Sequence, residues 1–211
     1  MELRERDFRI FREVERWRFC LGRHIKTLAG FSSQRTCDRR LRMLILEKYL
    51  IRHKVLYGVP NMYGLTSKAK TLIHANKRID KIRLDQIIHD VTVLDVAVCF
   101  INSLGLGFGD LKTEKQLHQD DGFGVRTHHP DFIFKTDDKT YCVEVELSLK
   151  SKARLEKNIK SNFRKYDVQI WVVDENATKL IRTLEHYKLL YANIEITNVK
   201  EVQDDVIRFI T

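Results

Sequence analysis

Three carboxylates stand where they could converge on one ion. Asp131 follows Pro130 at the head of an apolar run, and Glu144 and Glu146 lie in the next run. Strand alternation puts residues i and i+2 on one face, so the two glutamates point the same way. A hairpin through Thr136–Thr140 can bring Asp131 beside Glu144. Such a set, with Val143, Val145 and Leu147 packed behind it, is costly without a cation. All-oxygen ligands suit Mg²⁺ or Mn²⁺, ions that promote phosphodiester hydrolysis. Lys150 and Lys152 follow closely and could stabilise developing charge. His89, His128 and His129 could orient a water or a phosphate. The plainer alternatives are a solvent-facing strand for the carboxylates and a packing role for His89. Tyr141 and Tyr166 are conceivable nucleophiles, with core packing the stronger reading.

A second set suits base and phosphate contact. Ser32 and Ser33 are good caps for a helix over Gln34–Tyr49. Its first turns offer Gln34, Arg35, Thr36, Arg39 and Arg40, the side-chain types that read base edges. Arg52, His53 and Lys54 follow in a β-like run and suit the DNA backbone. The alternative is a solvated basic face with a dimerisation hairpin.

The elements needed to hold these residues are legible in outline. Residues 5–19 carry an apolar stripe at helical spacing, Ile10, Val14 and Trp17, which Leu21 continues. A short helix near His24–Leu28 is closed by Gly30. The helix over 34–49 precedes β-like runs at Leu50–Tyr57 and Met62–Thr66, turned by Gly58–Asn61. Helix Ser67–Ala75 and a charged connector follow. Three helices and a hairpin give the order of a winged helix-turn-helix. Residues 85–103 read as a long, largely buried helix, with β-branched content that also fits strand. Five of the nine glycines fall within Gly105–Gly124, where a mobile loop is expected. Strands are expected at Asp131–Phe134, Tyr141–Leu147, Val168–Val173, near Ala192–Thr197 and at Asp205–Ile210. Helices are expected at Leu149–Tyr166 and Ala177–Tyr187. This predicts two domains, 1–80 and 81–211, the second mixed α/β with a helical crossover.

Charge divides along the same line. Residues 1–80 hold 19 Lys+Arg against 8 Asp+Glu, and residues 81–211 hold 19 against 21. A cationic half beside a near-neutral one fits a polyanionic partner, double-stranded DNA above all, because counterion release drives such binding. The basic residues sit among patterned helices, which disfavours a membrane-surface anchor. No apolar run is expected to span a bilayer, and the charged start carries no secretory signal. The four cysteines, Cys20, Cys37, Cys99 and Cys142, lack metal spacing and read as reduced thiols of a cytoplasmic protein.

Pro130-Asp131, then Glu144-Val145-Glu146, then a basic helix, resembles the PD-(D/E)xK nuclease core, with Glu146 where a lysine usually stands. That departure is similar to the relaxases of the MOBC class and the related plasmid replication-relaxation proteins. His89-Asp90, Leu111-Lys112-Thr113-Glu114 and His129-Pro130-Asp131 match locally as well. The resemblance implies an α+β chain: a winged helix-turn-helix, then a restriction-endonuclease-like mixed sheet with flanking helices. It implies metal-dependent nicking at a specific site such as a plasmid transfer origin. Asp131, Glu144 and Glu146, with Glu114, would be the metal ligands. A homodimer and proteins of the transfer or replication machinery are the further partners implied. Two other readings stay open: a non-catalytic DNA-binding regulator with a degenerate nuclease fold, and a restriction-type double-strand nuclease.

Overall fold

The computed structural model describes residues 2–54, 60–77, 80, 82–121, 127–136, 139–148 and 151–204. The chain is mixed α and β and divides into two compact units, Met1–Ile88 and His89–Thr211. The strand expected at Asp205–Ile210, the end of the one expected at Leu50–Tyr57, and Lys150 lie outside the described residues.

The first unit runs α1 (Glu5–Trp17), β1 (Cys20–Leu21), α2 (Gly22–Leu28), α3 (Gln34–Leu46), β2 (Leu50–His53), β3 (Met62–Leu65) and α4 (Ser67–Leu72). Its antiparallel sheet has the order β1-β3-β2. The two-residue strand β1 was not expected, since so short a pairing leaves no periodicity to read. Ile10, Phe11, Val14 and Trp17 are buried along one side of α1, and Cys37, Leu41 and Leu44 along one side of α3. Ser33 caps α3 as its sequence suggests, accepting the Thr36 N–H at 3.2 Å.

Helices α2, α3 and α4 close in the same way. The residue after each C-cap has positive φ and donates to the carbonyl three residues back. The next residue donates to the carbonyl five back, as Tyr49 does to Leu44 at 2.8 Å and Ala75 to Lys70 at 2.9 Å. Only α2 uses glycine there, Gly30 at φ 66°; α3 uses Lys48 at 59° and α4 uses His74 at 55°.

Two buried charges, Lys70 and Asp7, anchor ion pairs within this unit. Lys70, 2% exposed, reaches Glu15 at 3.0 Å and Asp80 at 2.8 Å. Asp7, 1% exposed, accepts from Arg40 Nε at 2.7 Å and from Arg40 Nη2, joining α1 to α3, and also takes the Arg4 N–H at 2.7 Å. Asp7→Ala would strand a partly buried guanidinium and open the start of α1. A loss of about 2–3 kcal/mol in a urea titration is expected.

The second unit contains α5 (Ile87–Leu104, whose first turn belongs to the preceding unit), β4 (Leu111–Thr113), α6 (Glu114–Asp120), β5 (Phe132–Thr136), β6 (Lys139–Glu146), α7 (Lys152–Phe163), β7 (Val168–Val173), α8 (Thr178–Lys188), β8 (Ile194–Asn198) and α9 (Val199–Asp204). The five strands lie in sequence order, β4-β5-β6 antiparallel and β6-β7-β8 parallel, with α7 and α8 as the crossovers. One face packs on α5, where Phe100 meets Phe132 at 6.0 Å and Phe134 at 5.1 Å. The other packs on α7 and α8, where Leu155, Ile159, Leu180 and Leu184 cluster with Trp171 and Val173.

Helix α5 settles the strand-or-helix ambiguity. Val93, Val96, Ala97 and Phe100 are buried at helical spacing, and that burial outweighs β-branched propensity. Residues Leu84–Leu104 are, by length and composition alone, long and apolar enough to cross a bilayer. One side of α5 nevertheless packs on the sheet through Phe100.

Candidate functional site

The carboxylates meet where β5 and β6 leave their ladder. Phe132 pairs with Val143 and Thr113 with Phe132. One further step of each register sets Glu114, the first residue of α6, and Asp131, just before β5, level with Glu144 of β6. The Glu114 N–H donates to the Asp131 carbonyl at 2.8 Å, fixing the neighbouring chains. The Asp131 carboxylate takes the Val145 N–H at 2.7 Å, a donor left over where β5 ends. Glu146 lies half-buried two residues beyond Glu144 on the same strand. The charges acting on Asp131 are chiefly those of Glu144, His89 and Glu114.

Two of the three histidines singled out from sequence attend this row. His128 has Nε2 2.6 Å from Glu144 Oε1, the oxygen that also accepts from Asn162 Nδ2 at 2.8 Å. His89, for which packing was the alternative reading, has Nε2 2.9 Å from the Val145 carbonyl and 3.6 Å from Asp131 Oδ1. The third, His129, also expected to be catalytic, instead contacts Asp121 at 2.6 Å, because neighbouring residues of an extended segment face opposite ways.

The electrostatics follow from burial and crowding. Burial, then Glu144, pushes the Asp131 carboxyl up to about 8; His89 and the Val145 N–H pull the other way. Burial works against a charged His89, but Asp90 and Asp131 outweigh it and raise the imidazole to about 9. A carboxyl held this high beside a second carboxylate is what a divalent cation would relieve. The oxygen-rich row therefore fits a hard ion.

Next to this row, His118, Asp121 and His129 form a group able to hold a metal, with ligand atoms all within 4.8 Å of one another. Hydrogen bonds from Thr127 and His129 hold the Asp121 carboxyl below its ordinary value, and Lys165 adds to the pull. Glu114 lies 3.7 Å from His118. Sequence reading missed this group. His118-x-x-Asp121 puts both on one helix face, which was the available signal, but only the fold returns His129 to them.

Two expected roles change. Lys152 opens α7, whereas Asn162, the residue of that helix touching Glu144, lies about 15 Å further along it. Lys152 therefore lines the α7–α8 surface with Lys179 and Arg182 rather than the carboxylates. Four cations of α7 and its end, Lys157, Lys160, Arg164 and Lys165, line a shallow groove. Tyr141 is core, stacked on Phe134 at 4.8 Å. Burial, with Cys142 and Glu144, pushes Tyr166 up to about 12, the wrong direction for a nucleophile.

In the first unit Arg35, Arg39 and Arg52 are exposed, as is Lys54. Arg42, not singled out from sequence, joins them on α3. Gln34 and Thr36 are exposed but locally engaged, Gln34 with Asp38 at 2.8 Å and Thr36 with its cap Ser33. Arg40 does not fit its expected reading role, because Asp7 and the Glu2 carbonyl hold its guanidinium.

No protein-family model, curated protein or solved structure matches this chain.

Proposed function

We propose that the chain is a metal-dependent DNA endonuclease that binds a specific duplex site through its first unit and nicks it with its second, as at a plasmid transfer origin. In this reading the first unit acts as a winged helix-turn-helix and the second as a nuclease of the PD-(D/E)xK type. The observation that carries the proposal is the row Glu114, Asp131 and Glu144, where the largely shielded carboxylates of Asp131 and Glu144 stand side by side with the exposed Glu114 next to them. The charge split supports the rest, since the cations concentrate in residues 1–80.

Asp131 and Glu144, with Glu114 beside them, would hold Mg²⁺ or Mn²⁺, which supplies Lewis-acid polarisation of a phosphoryl group. The chain's own residues do the remaining work. Val145 N–H fixes one oxygen of Asp131, and His128 with Asn162 fixes one oxygen of Glu144. His128 and His89 set ring nitrogens at the edge where a phosphodiester would lie. Lys157, Arg164 and Lys165 draw the anionic strand along α7.

Supercoiled plasmid carrying the cognate site should be converted to open circles with Mn²⁺ and not with chelator. Glu144→Gln keeps the shape and an acceptor for Asn162, yet should slow nicking at least about a hundredfold. Equal nicking by the variant and the wild type would reject the assignment. Linear product in place of open circles would point to a double-strand nuclease.

One observation favours a second reading, a non-catalytic DNA-binding factor: His128 and Asn162 already share Glu144 Oε1. That reading requires specific DNA binding indifferent to Mn²⁺ and no heat of Mn²⁺ binding in calorimetry.

A further inference from the structure

We infer that His118, Asp121 and His129 form a second, chemically distinct metal site, selective for a borderline transition ion of the Zn²⁺ class. Two imidazoles and one carboxylate are the donors such ions prefer, whereas Mg²⁺ prefers oxygen alone. The three ligand atoms lie within 4.8 Å of one another. Bonds of about 2.0–2.1 Å at tetrahedral angles place ligand atoms about 3.4 Å apart, so the His129–Asp121 pair, at 2.6 Å, has to open slightly as His118 moves in. Two of the three, His118 and Asp121, are more than one-fifth exposed and belong to the end of α6, where side chains can adjust.

The third ligand is already built in. The His129 side chain is 7% exposed, and its ring stands edge-on to His118 with centroids 4.7 Å apart. Its Nε2 points at Asp121 Oδ2 at 2.6 Å, and its buried Nδ1 has no partner among the described residues. Nε2, which faces Asp121, is the nitrogen an ion would take, and Nδ1 on the far side of the ring is left for an outer hydrogen bond. Thr127 Oγ1 bonds the same Asp121 oxygen, orienting the carboxylate toward the ring.

Three protein ligands leave a coordination position open, as in hydrolytic zinc sites rather than closed structural ones. The ion would also join α6 to the residues entering β5, directly beside His128 and Glu144. The site shares no ligand with the Asp131–Glu144 row, so it stands or falls independently of the nuclease reading.

Co²⁺ provides the probe. Titrating the full chain with Co²⁺ should give the intense visible absorption of a low-coordinate, mixed nitrogen–oxygen site, and stoichiometric Zn²⁺ should abolish it. His118→Ala replaces an exposed side chain and should remove the band, with at least a tenfold loss of Co²⁺ affinity. Asp121→Asn should weaken it similarly. Asp131→Asn and Glu144→Gln should leave it intact, even if neither wild type nor variant nicks DNA. Absence of the band in the wild type, or a band unchanged in His118→Ala, would overturn the site. So would a band lost in Glu144→Gln but kept in His118→Ala.

Discussion

Asp131→Asn is expected to abolish Mn²⁺-dependent nicking while leaving the fold at least as stable in chelator at alkaline pH. The two effects have one cause. Asp131 is a half-buried carboxyl beside Glu144, raised from 3.8 to about 8. A carboxyl raised on folding contributes stability that is full below its unfolded value and is lost as pH rises through the folded one. His89, raised from 6.5 to about 9, acts in the same direction. In chelator the contribution of this pair to the wild-type urea midpoint should therefore be lost between about pH 4 and pH 9, the two groups titrating together. An asparagine still accepts the Val145 N–H but carries no charge, so the variant should show a shallower pH dependence. Without the charge it loses its claim on a cation, and nicking should drop at least about a hundredfold. A variant that nicks normally, or one that unfolds at pH 8, would contradict this account.

Reversing Arg35 and Arg39 to glutamate should weaken DNA binding at least about a hundredfold at low salt, since cation–phosphate contacts dominate affinity. Both side chains are exposed at the start of α3. If each meets a phosphate, the paired alanine variant should flatten the dependence of log K on log salt by about 2. Arg40→Ala is the informative contrast. Its guanidinium holds Asp7, so it should lower stability far more than affinity measured on the folded protein. Fluorescence anisotropy at several salt concentrations, alongside urea melts, reads both quantities. Unchanged affinity in the double reversal would remove the first unit from DNA recognition.

What the residues disclosed in advance depended on the range of the interaction. Helices α1 and α3 and strands β5 to β7 follow from periodicity, caps and apolar runs, all local signals. The meeting of Asp131 and Glu144 was legible too, because a hairpin fixes register across few residues. Strand β4 and helix α6 were obscured by nearby glycines, although Thr113 and Gln116 cap each other reciprocally, as a Thr-x-x-Gln pair can. The misplaced assignments were long-range. Arg40 is claimed by Asp7, 33 residues away. His89 reaches Val145 across 56 residues. Nothing in either neighbourhood announces its partner.

The closures of α3 and α4 carry a consequence of their own. Lys48 and His74 hold a backbone conformation that costs most side chains about a kilocalorie and glycine almost nothing. Glycine at these two positions would make the unit sturdier and also less cationic, or less readily made so at His74. If the proposed DNA-binding role holds, robustness and attraction for a polyanion trade against each other at the same helix ends. A thermostabilised variant obtained by the most obvious substitutions would then be selected, unintentionally, for slower capture of DNA.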